Sequence, residues 1–86
     1  MKFTVIWKPS AERELAQIWD SADANDRRDI TIASNAIDHQ LAESAERAGE
    51  SRGGNDRIHF EPPLGIRFRV SVADRMVVVL NVWRTQ

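Results

Sequence analysis

The second half of the chain contains a strictly alternating segment, and this segment limits the possible folds more than any other feature. From Ile66 to Val72 every second residue is apolar, and the residues between them are Arg67, Arg69 and Ser71. Successive side chains of a β-strand point to opposite faces, so this pattern predicts a strand with one face on a core and the other exposed. Such a strand needs neighbouring strands for its backbone hydrogen bonds.

Three other segments are the predicted neighbours. Residues 57–61 alternate in the same way, and residues 76–83 are almost continuously apolar, which is typical of a strand that is buried more fully. Residues 3–7 are β-branched or aromatic and predict a short first strand. Turns at residues 62–65 and 73–75 would connect the last three strands.

Two helices are predicted between the first strand and a glycine-rich loop. The first begins with Ser10 as its N-cap and ends near Ala22, and the second runs from about Asn25 to Arg47 with Asp23 or Asn25 as its cap. The apolar residues follow helical spacing at Ala11, Leu15, Ile18, Trp19 and Ala22, and again at Ile30, Ala33, Ile37, Leu41 and Ala45. Each helix therefore buries one face, and the two form a helical hairpin.

The element order β-α-α-β-β-β predicts an α+β fold with the helical hairpin on one face of a mostly antiparallel four-stranded sheet. A length of 86 residues gives a single domain over residues 1–86. The absence of cysteine excludes disulfides and thiolate chemistry. The longest apolar run, residues 76–80, is far shorter than the roughly 20 residues that span a bilayer, so we expect a cytoplasmic protein without membrane association.

Charge is distributed unevenly along the chain. Residues 1–50 contain six Lys or Arg against ten Asp or Glu, a balance of −4, whereas residues 51–86 contain six Arg against three acids, a balance of +3. Arginine presents a planar fork of donors that suits phosphate or carboxylate groups. The asymmetry therefore predicts an anionic partner on one face of the protein.

The alternation also predicts which side chains share the exposed face of the sheet. If the apolar residues of segments 57–61 and 66–72 reach one core, Phe60 lies opposite Ile66, or the register differs by two residues. In either register four basic side chains gather on the open face: Arg57, His59, Arg67 and Arg69. Like charges that face each other across a sheet are destabilising, so the group predicts an anion site; the alternative is that the arginine stems cover apolar surface and Glu61 pairs with one of them.

Two more arginines are candidates for the same site. Arg52 lies among glycines whose backbone N–H groups could approach a phosphate, and Arg84 ends the last strand. His59 is the one candidate for proton transfer on this face. No metal-ligand spacing or Ser–His–Asp arrangement is present, so we expect neither a metal nor another cofactor.

Four segments, taken in order, resemble a known family. They are Lys-Pro-Ser-Ala-Glu-Arg-Glu-Leu at 8–15, Gly-Glu-Ser-Arg at 49–52, Gly-Ile-Arg-Phe-Arg-Val at 65–70 and Val-Val-Val-Leu-Asn-Val-Trp-Arg at 77–84. In this order they resemble the RelE/ParE superfamily of bacterial toxins from type II toxin–antitoxin systems. The resemblance covers essentially the whole chain and implies the fold described above.

The resemblance implies two possible activities and one partner. RelE-type members cleave ribosome-bound mRNA without a metal, which would make the protein an endoribonuclease; Arg67 matches the arginine of the third strand, Arg84 lies near the basic residue that closes the last strand, and Arg52 and Arg57 match less closely. ParE-type members instead poison DNA gyrase, and a third possibility is an inactive relative that serves as an interaction module. An antitoxin would cover either the arginine face or the helical hairpin.

Overall fold

The computed structural model describes residues 2–85, and this part of the chain contains two α-helices, one 3₁₀ helix and five strands. The elements, in chain order, are β1 (Thr4–Trp7), α1 (Pro9–Asp20), α2 (Ala24–Ser44), the 3₁₀ helix (Ala45–Arg47), β2 (Glu50–Ser51), β3 (Asp56–Glu61), β4 (Leu64–Ser71) and β5 (Met76–Arg84). The α+β class and the order of the main elements are as the sequence predicts.

The sheet differs from the prediction in strand number and direction. Its strands lie in the order β1-β5-β4-β3-β2, and β1 runs parallel to β5 while the other pairs are antiparallel. The parallel pair arises because the chain leaves β1 through both helices before it returns to the sheet. The extra strand, β2, lies in the glycine-rich segment and consists of Glu50 and Ser51, which pair with Ile58 and Arg57. The predicted four-stranded sheet is therefore a five-stranded mixed sheet.

The helix termini partly follow the sequence signals. Asp23 caps α2, since its carboxylate accepts a hydrogen bond from the Asp26 backbone N–H at 2.9 Å. The predicted cap of α1 is wrong: the helix begins at Pro9, with Lys8 as the N-cap, so Ser10 lies inside the first turn. Proline suits this first position because its missing N–H would have had no partner there. Within residues 2–85, neither helix is long and apolar enough to cross a membrane.

The core lies between the helices and one face of the sheet. The α2 stripe is buried as predicted. In the first predicted stripe Ala11 and Ala22 are buried and Leu15 and Ile18 pack against the core, but Trp19 is 38% exposed. The sheet contributes side chains from β4 and β5. These are Leu64, Ile66, Phe68, Val70, Val77, Val79 and Val82. All four apolar β4 residues in this set point to the helices, so the polar residues between them point to the uncovered face.

A β-bulge interrupts the regular alternation of β5. Val79 lies opposite Phe68 and Asn81 lies opposite Arg67, which leaves Leu80 as the extra residue. The bulge shifts the alternation by one position, so that Val82 as well as Val79 reaches the core. The run before the bulge is continuously apolar because Met76 and Val78 on the open face are apolar as well as the buried Val77 and Val79.

Candidate interaction site on the open sheet face

The register between β3 and β4 decides which side chains share the uncovered face of the sheet. Ile58 lies opposite Arg67, and Phe60 lies opposite Gly65. Residues that lie directly opposite each other in an antiparallel pair point to the same face. Ile58 and Phe60 therefore lie on the same face as the β4 arginines, and the Phe60 side chain is 55% exposed.

The predicted grouping of Arg57 and His59 with the β4 arginines is consequently wrong. Arg57 points to the helix side, where its guanidinium donates to the carbonyl oxygens of Ala48 at 2.7 Å and Gly49 at 3.0 Å. These carbonyls follow the 3₁₀ helix that ends α2, a position where backbone acceptors have no helical partner. Arg57 thus donates hydrogen bonds to backbone carbonyl oxygens that have no partner within a helix.

His59 and Glu61 lie on the helix side as well, beside α2. Gln40 of α2 donates to the Glu61 carboxylate at 3.0 Å, and the His59 Nε2 atom lies 3.4 Å from the same oxygen. Arg57 and Glu61 thus find their partners on α2 or in the residues that follow it. The side chain that the sequence suggested for proton transfer lies on the face of the sheet opposite Arg67.

The other two candidate arginines are not grouped with Arg67 and Arg69. Arg84 is opposite the buried Leu64 and donates to the carboxylate of Asp26, in the first turn of α2, at 2.7 Å. Arg52 lies in the loop between β2 and β3 and forms an exposed pair with Glu50 at 3.4 Å. Of the six residues that sequence reasoning selected, the structure brings together two, Arg67 and Arg69.

A carboxylate joins these two arginines. Asp56, the first residue of β3, lies opposite Arg69. Its Oδ2 atom accepts a hydrogen bond from Arg67 Nη2 at 2.6 Å, and its Oδ1 atom accepts one from Arg69 Nε at 2.7 Å. A third bond joins Arg69 Nη2 to Oδ2 at 3.3 Å. We call these three residues the Asp56 clamp; it removes the repulsion that two neighbouring arginines would otherwise create.

Ion pairing in the clamp stabilises the charged forms of Asp56 and Arg69. Hydrogen bonds from Arg69 and Arg67 lower the pKa of Asp56 from 3.8 to about 2, and the hydrogen bond to Asp56 raises the pKa of Arg69. Asp56 is therefore an anion at neutral pH. It is also the one charged residue among the buried residues described.

This shift predicts an acid-dependent contribution to stability. Because the pKa of Asp56 is lower in the folded state, its contribution is present above pH ~4 and is lost as pH falls towards ~2. Asp56→Asn should lower the free energy of unfolding at pH 6, and the difference from wild type should shrink across that interval. Urea unfolding at several pH values measures the difference, with Asp20→Asn on the exposed end of α1 as the control. A difference that is independent of pH would contradict the role of the clamp.

An aromatic pair lies at the other end of the open face. The rings of Phe60 and Trp83 meet edge to face, with centroids 6.1 Å apart and planes 80° apart. Both residues lie opposite Gly65, one from each side of β4. A Cβ atom on Gly65 would come within 2.6 Å of the Trp83 indole, so the missing side chain lets the indole lie over the β4 backbone. We call Phe60 and Trp83 the aromatic pair.

The open face as a whole has little net charge. Asp56 offsets one of the two arginines, and Glu50, opposite Ile58 at the sheet edge, is paired with Arg52. The remaining open-face positions of β3, β4 and β5 are mostly apolar, apart from Ser71 and Asn81. Within residues 2–85, no group of three or more acidic, His or Cys side chains could hold a metal ion. The arrangement is suited to contact with another molecule through apolar surface and arginine N–H groups.

Sequence reasoning missed Asp56 and the aromatic pair for identifiable reasons. The prediction begins this strand at residue 57, and either predicted register would place Asp56 on the core face with Ile58 and Phe60; only the observed register places it across from Arg69. The second half of the chain contains three acids, Asp56, Glu61 and Asp74, so the number of candidate partners for its arginines was small. The aromatic pair was hidden by the assignment of Phe60 to the core.

Two helices packed on one face of a mixed sheet whose other face is open define an α+β fold that is found in toxin–antitoxin complexes. No protein-family model and no curated relative matches the chain. Among solved structures, 100% of the chain aligns with 95% of a chain in the RelBE2 toxin–antitoxin complex of Mycobacterium tuberculosis, at 17% identity and a TM-score of 0.78. It also aligns, over 99% of its length, with 98% of a chain in the chromosomal ParDE system of P. aeruginosa, at 18% identity and a TM-score of 0.75. The chain thus shares its fold with chains of these two systems, and this is the fold that the sequence resemblance implies.

Proposed function

We propose that the protein is the toxin of a type II toxin–antitoxin system and is neutralised by a cognate antitoxin. The support is the alignment of nearly the whole chain with chains of two toxin–antitoxin systems, one of the RelBE type and one of the ParDE type. Both kinds of target, ribosome-bound mRNA and DNA gyrase, lie in the cytoplasm, and we place the protein there. The two activities differ in the chemistry that they need, so the open face favours one over the other.

Inhibition of a protein target, with DNA gyrase as that target, is the activity that the geometry favours. Cleavage of RNA by its own 2′-hydroxyl needs a group that accepts a proton and a group that donates one. Within residues 2–85, the open-face positions of the strands carry no histidine or lysine, and the sequence contains no tyrosine. The arginines that could stabilise a phosphate are joined to Asp56. This pairing is the observation that carries the proposal.

RNA cleavage is the second candidate, and the aromatic pair is the observation that favours it. Aromatic rings next to an arginine form a surface on which bases stack while the guanidinium contacts phosphate. In this function Arg67 and Arg69 would stabilise negative charge in the transition state. His59 and Arg84 would contribute indirectly, because the structure places them on the helix side of the sheet.

Induced expression in a bacterial host tests the proposed function. We expect growth to stop, DNA supercoiling by purified gyrase to be inhibited by the protein, and the ends of translated mRNAs to remain unchanged. Cleaved messages with normal supercoiling would instead establish the RNA-cleaving activity. Unimpaired growth, with neither effect, would show an inactive relative that serves as an interaction module. Co-expression of the adjacent reading frame should restore growth if it encodes the antitoxin.

The antitoxin surface that we propose is the groove between the two helices, which the sequence analysis gave as one of two options. The groove has a volume of about 760 Å³ and is lined mainly by apolar side chains of α1, α2 and the edge of the sheet. Leu15 and Trp19 line it, and Trp19 is 38% exposed although it is large and apolar. Arg27 lies 5.4 Å from the centre of the Trp19 ring and so holds it in place. An amphipathic segment of the antitoxin would cover these side chains.

Trp19→Ala should therefore weaken the complex with the antitoxin. Exposed aromatic residues in a groove are typical sites of concentrated binding energy, and a loss of ~2 kcal/mol corresponds to an affinity decrease of roughly 30-fold. Calorimetry with the product of the adjacent reading frame measures this change. Ile32→Ala is the matched control, because Ile32 is 61% exposed on α2 but does not line the groove. If Arg67→Ala with Arg69→Ala weakens the complex and Trp19→Ala does not, the antitoxin binds the open face.

A further inference from the structure

We infer that the open face of the sheet is the surface that binds the protein target, and that the target presents an apolar side chain to the aromatic pair and a single carboxylate to the Asp56 clamp. This inference rests on the proposed function and names the surface that performs it. It also separates the target from the antitoxin, which we assign to the groove between the helices.

The first argument is the apolar character of a face that no part of the described chain covers. Ile58, Phe60, Val78 and Trp83 all occupy open-face positions, as the pairing of β3, β4 and β5 shows. Phe60 contacts Trp83 across Gly65 and is two residues from Ile58 on the same face of β3, so these three lie together, whereas Val78 lies beside Arg69; Phe60 is more than half exposed. Contiguous apolar patches on small proteins mark binding sites more often than isolated exposed residues do. The patch is therefore a candidate protein interface.

The second argument is the rigidity of the aromatic pair. The Trp83 indole lies against the backbone at Gly65, and the Phe60 ring contacts it edge to face. Both side chains are consequently held before any partner arrives, so little rotational freedom is lost on binding. Aromatic side chains that are held in this way are typical of the central residues of interfaces.

The third argument is charge, which favours a protein over a nucleic acid. A nucleic acid gains affinity when a surface neutralises several phosphates, and that requires an excess of basic residues. On this face Asp56 neutralises one of the two arginines, and Glu50 pairs with Arg52, so one net positive charge remains. A single positive charge suits a partner that presents one carboxylate rather than a series of phosphates.

The clamp nevertheless retains donors for a partner. Asp56 accepts from one nitrogen of Arg67 and from two of Arg69, and the arginine side chains are 48% and 57% exposed. A guanidinium has five N–H groups, so both arginines have further N–H groups that can bond to an acceptor. One carboxylate of the partner would be held by charge-assisted hydrogen bonds without displacing Asp56. The stated partner chemistry, one apolar side chain beside one carboxylate, follows from these two neighbouring features.

Binding to purified DNA gyrase tests the inference. We expect Phe60→Ala to weaken binding at least tenfold and Arg67→Ala to weaken it several-fold, while Ile32→Ala on α2 leaves it unchanged. Circular dichroism and thermal unfolding of each variant establish that it is folded. Because Arg67 is exposed, it provides a second test if Phe60→Ala lowers stability. Binding of the Phe60 variant to the antitoxin should equal that of the wild type.

Each contrary outcome identifies a different error. If wild type binds gyrase and both open-face variants bind equally well, the inferred surface is wrong and the proposed function stands. If wild type does not bind gyrase, the inferred surface and the proposed inhibition of gyrase are both overturned. If a single-stranded RNA oligonucleotide binds wild type more tightly than gyrase does, and Phe60→Ala abolishes that binding, the face binds nucleic acid and the inference is overturned in favour of the second candidate function.

Discussion

Replacing Phe68 with alanine is expected to lower the free energy of unfolding by about 3–5 kcal/mol. Phe68 is fully buried in β4 and belongs to the core between the helices and the sheet. Its removal takes away a large apolar surface and leaves a cavity that the surrounding backbone can close only in part. Domains of this size have a total stability of roughly 5–10 kcal/mol, so the variant should be largely unfolded at modest urea concentrations.

The matched control is the same substitution at Phe60, on the neighbouring strand. Phe60 lies on the open face and contacts Trp83 edge to face, so Phe60→Ala should lower stability by only ~1 kcal/mol. Urea unfolding of both variants, followed by circular dichroism, measures the difference. Equal effects at the two positions would contradict the register between β3 and β4, since one of the rings would then lie on the wrong face.

The face that Phe60 occupies is the point at which the prediction from sequence was wrong. The apolar and polar residues of β4 alternate over the whole strand, and β4 is central in the sheet, so its faces could be predicted correctly. The shorter segment 57–61 alternates equally well, but its two apolar side chains do not determine which face they occupy. The outcome depends on α2 and the residues after it, which supply partners for Arg57 and Glu61.

The last strand shows a second limit of pattern reasoning. Alternation alone cannot reveal this bulge, because residues 76–80 are all apolar and Asn81 is the one polar residue between Met76 and Trp83. The bulge determines the face of every later residue, including Arg84, which reaches Asp26 on α2. The helices could be predicted more fully, since the α2 stripe extends over several turns and each turn supports the same face.

The candidate site was predictable only in its two β4 arginines. Their positions follow from the alternation, but the Asp56 clamp depends on contact between residues that are distant in the sequence. A carboxylate at the start of a strand is also a frequent turn residue, so its identity gave no signal by itself. The clamp changes the interpretation of the site, because it turns a basic anion site into a surface with one net positive charge and free N–H donors.

The aromatic pair requires glycine at position 65, because any side chain there would overlap the Trp83 indole. Gly65→Ala should lower the free energy of unfolding by about 1–3 kcal/mol, because the new methyl group would overlap the Trp83 indole. The indole can avoid the overlap only by leaving its position over β4 and giving up its contact with Phe60. The substitution therefore tests packing and the shape of the open face together.

A double-mutant cycle with Trp83→Ala separates this overlap from other effects of the substitution. In the Trp83→Ala background the methyl group meets no indole, so Gly65→Ala should change stability by only a few tenths of a kcal/mol, and the cycle should give a coupling energy of about 1 kcal/mol or more. Chemical unfolding of the four proteins provides the energies. Additive effects of the two substitutions would show that the indole does not lie over Gly65. If coupling is found, Gly65→Ala should also weaken binding of the target protein on the open face, since Phe60 and Trp83 would no longer be held together for a partner.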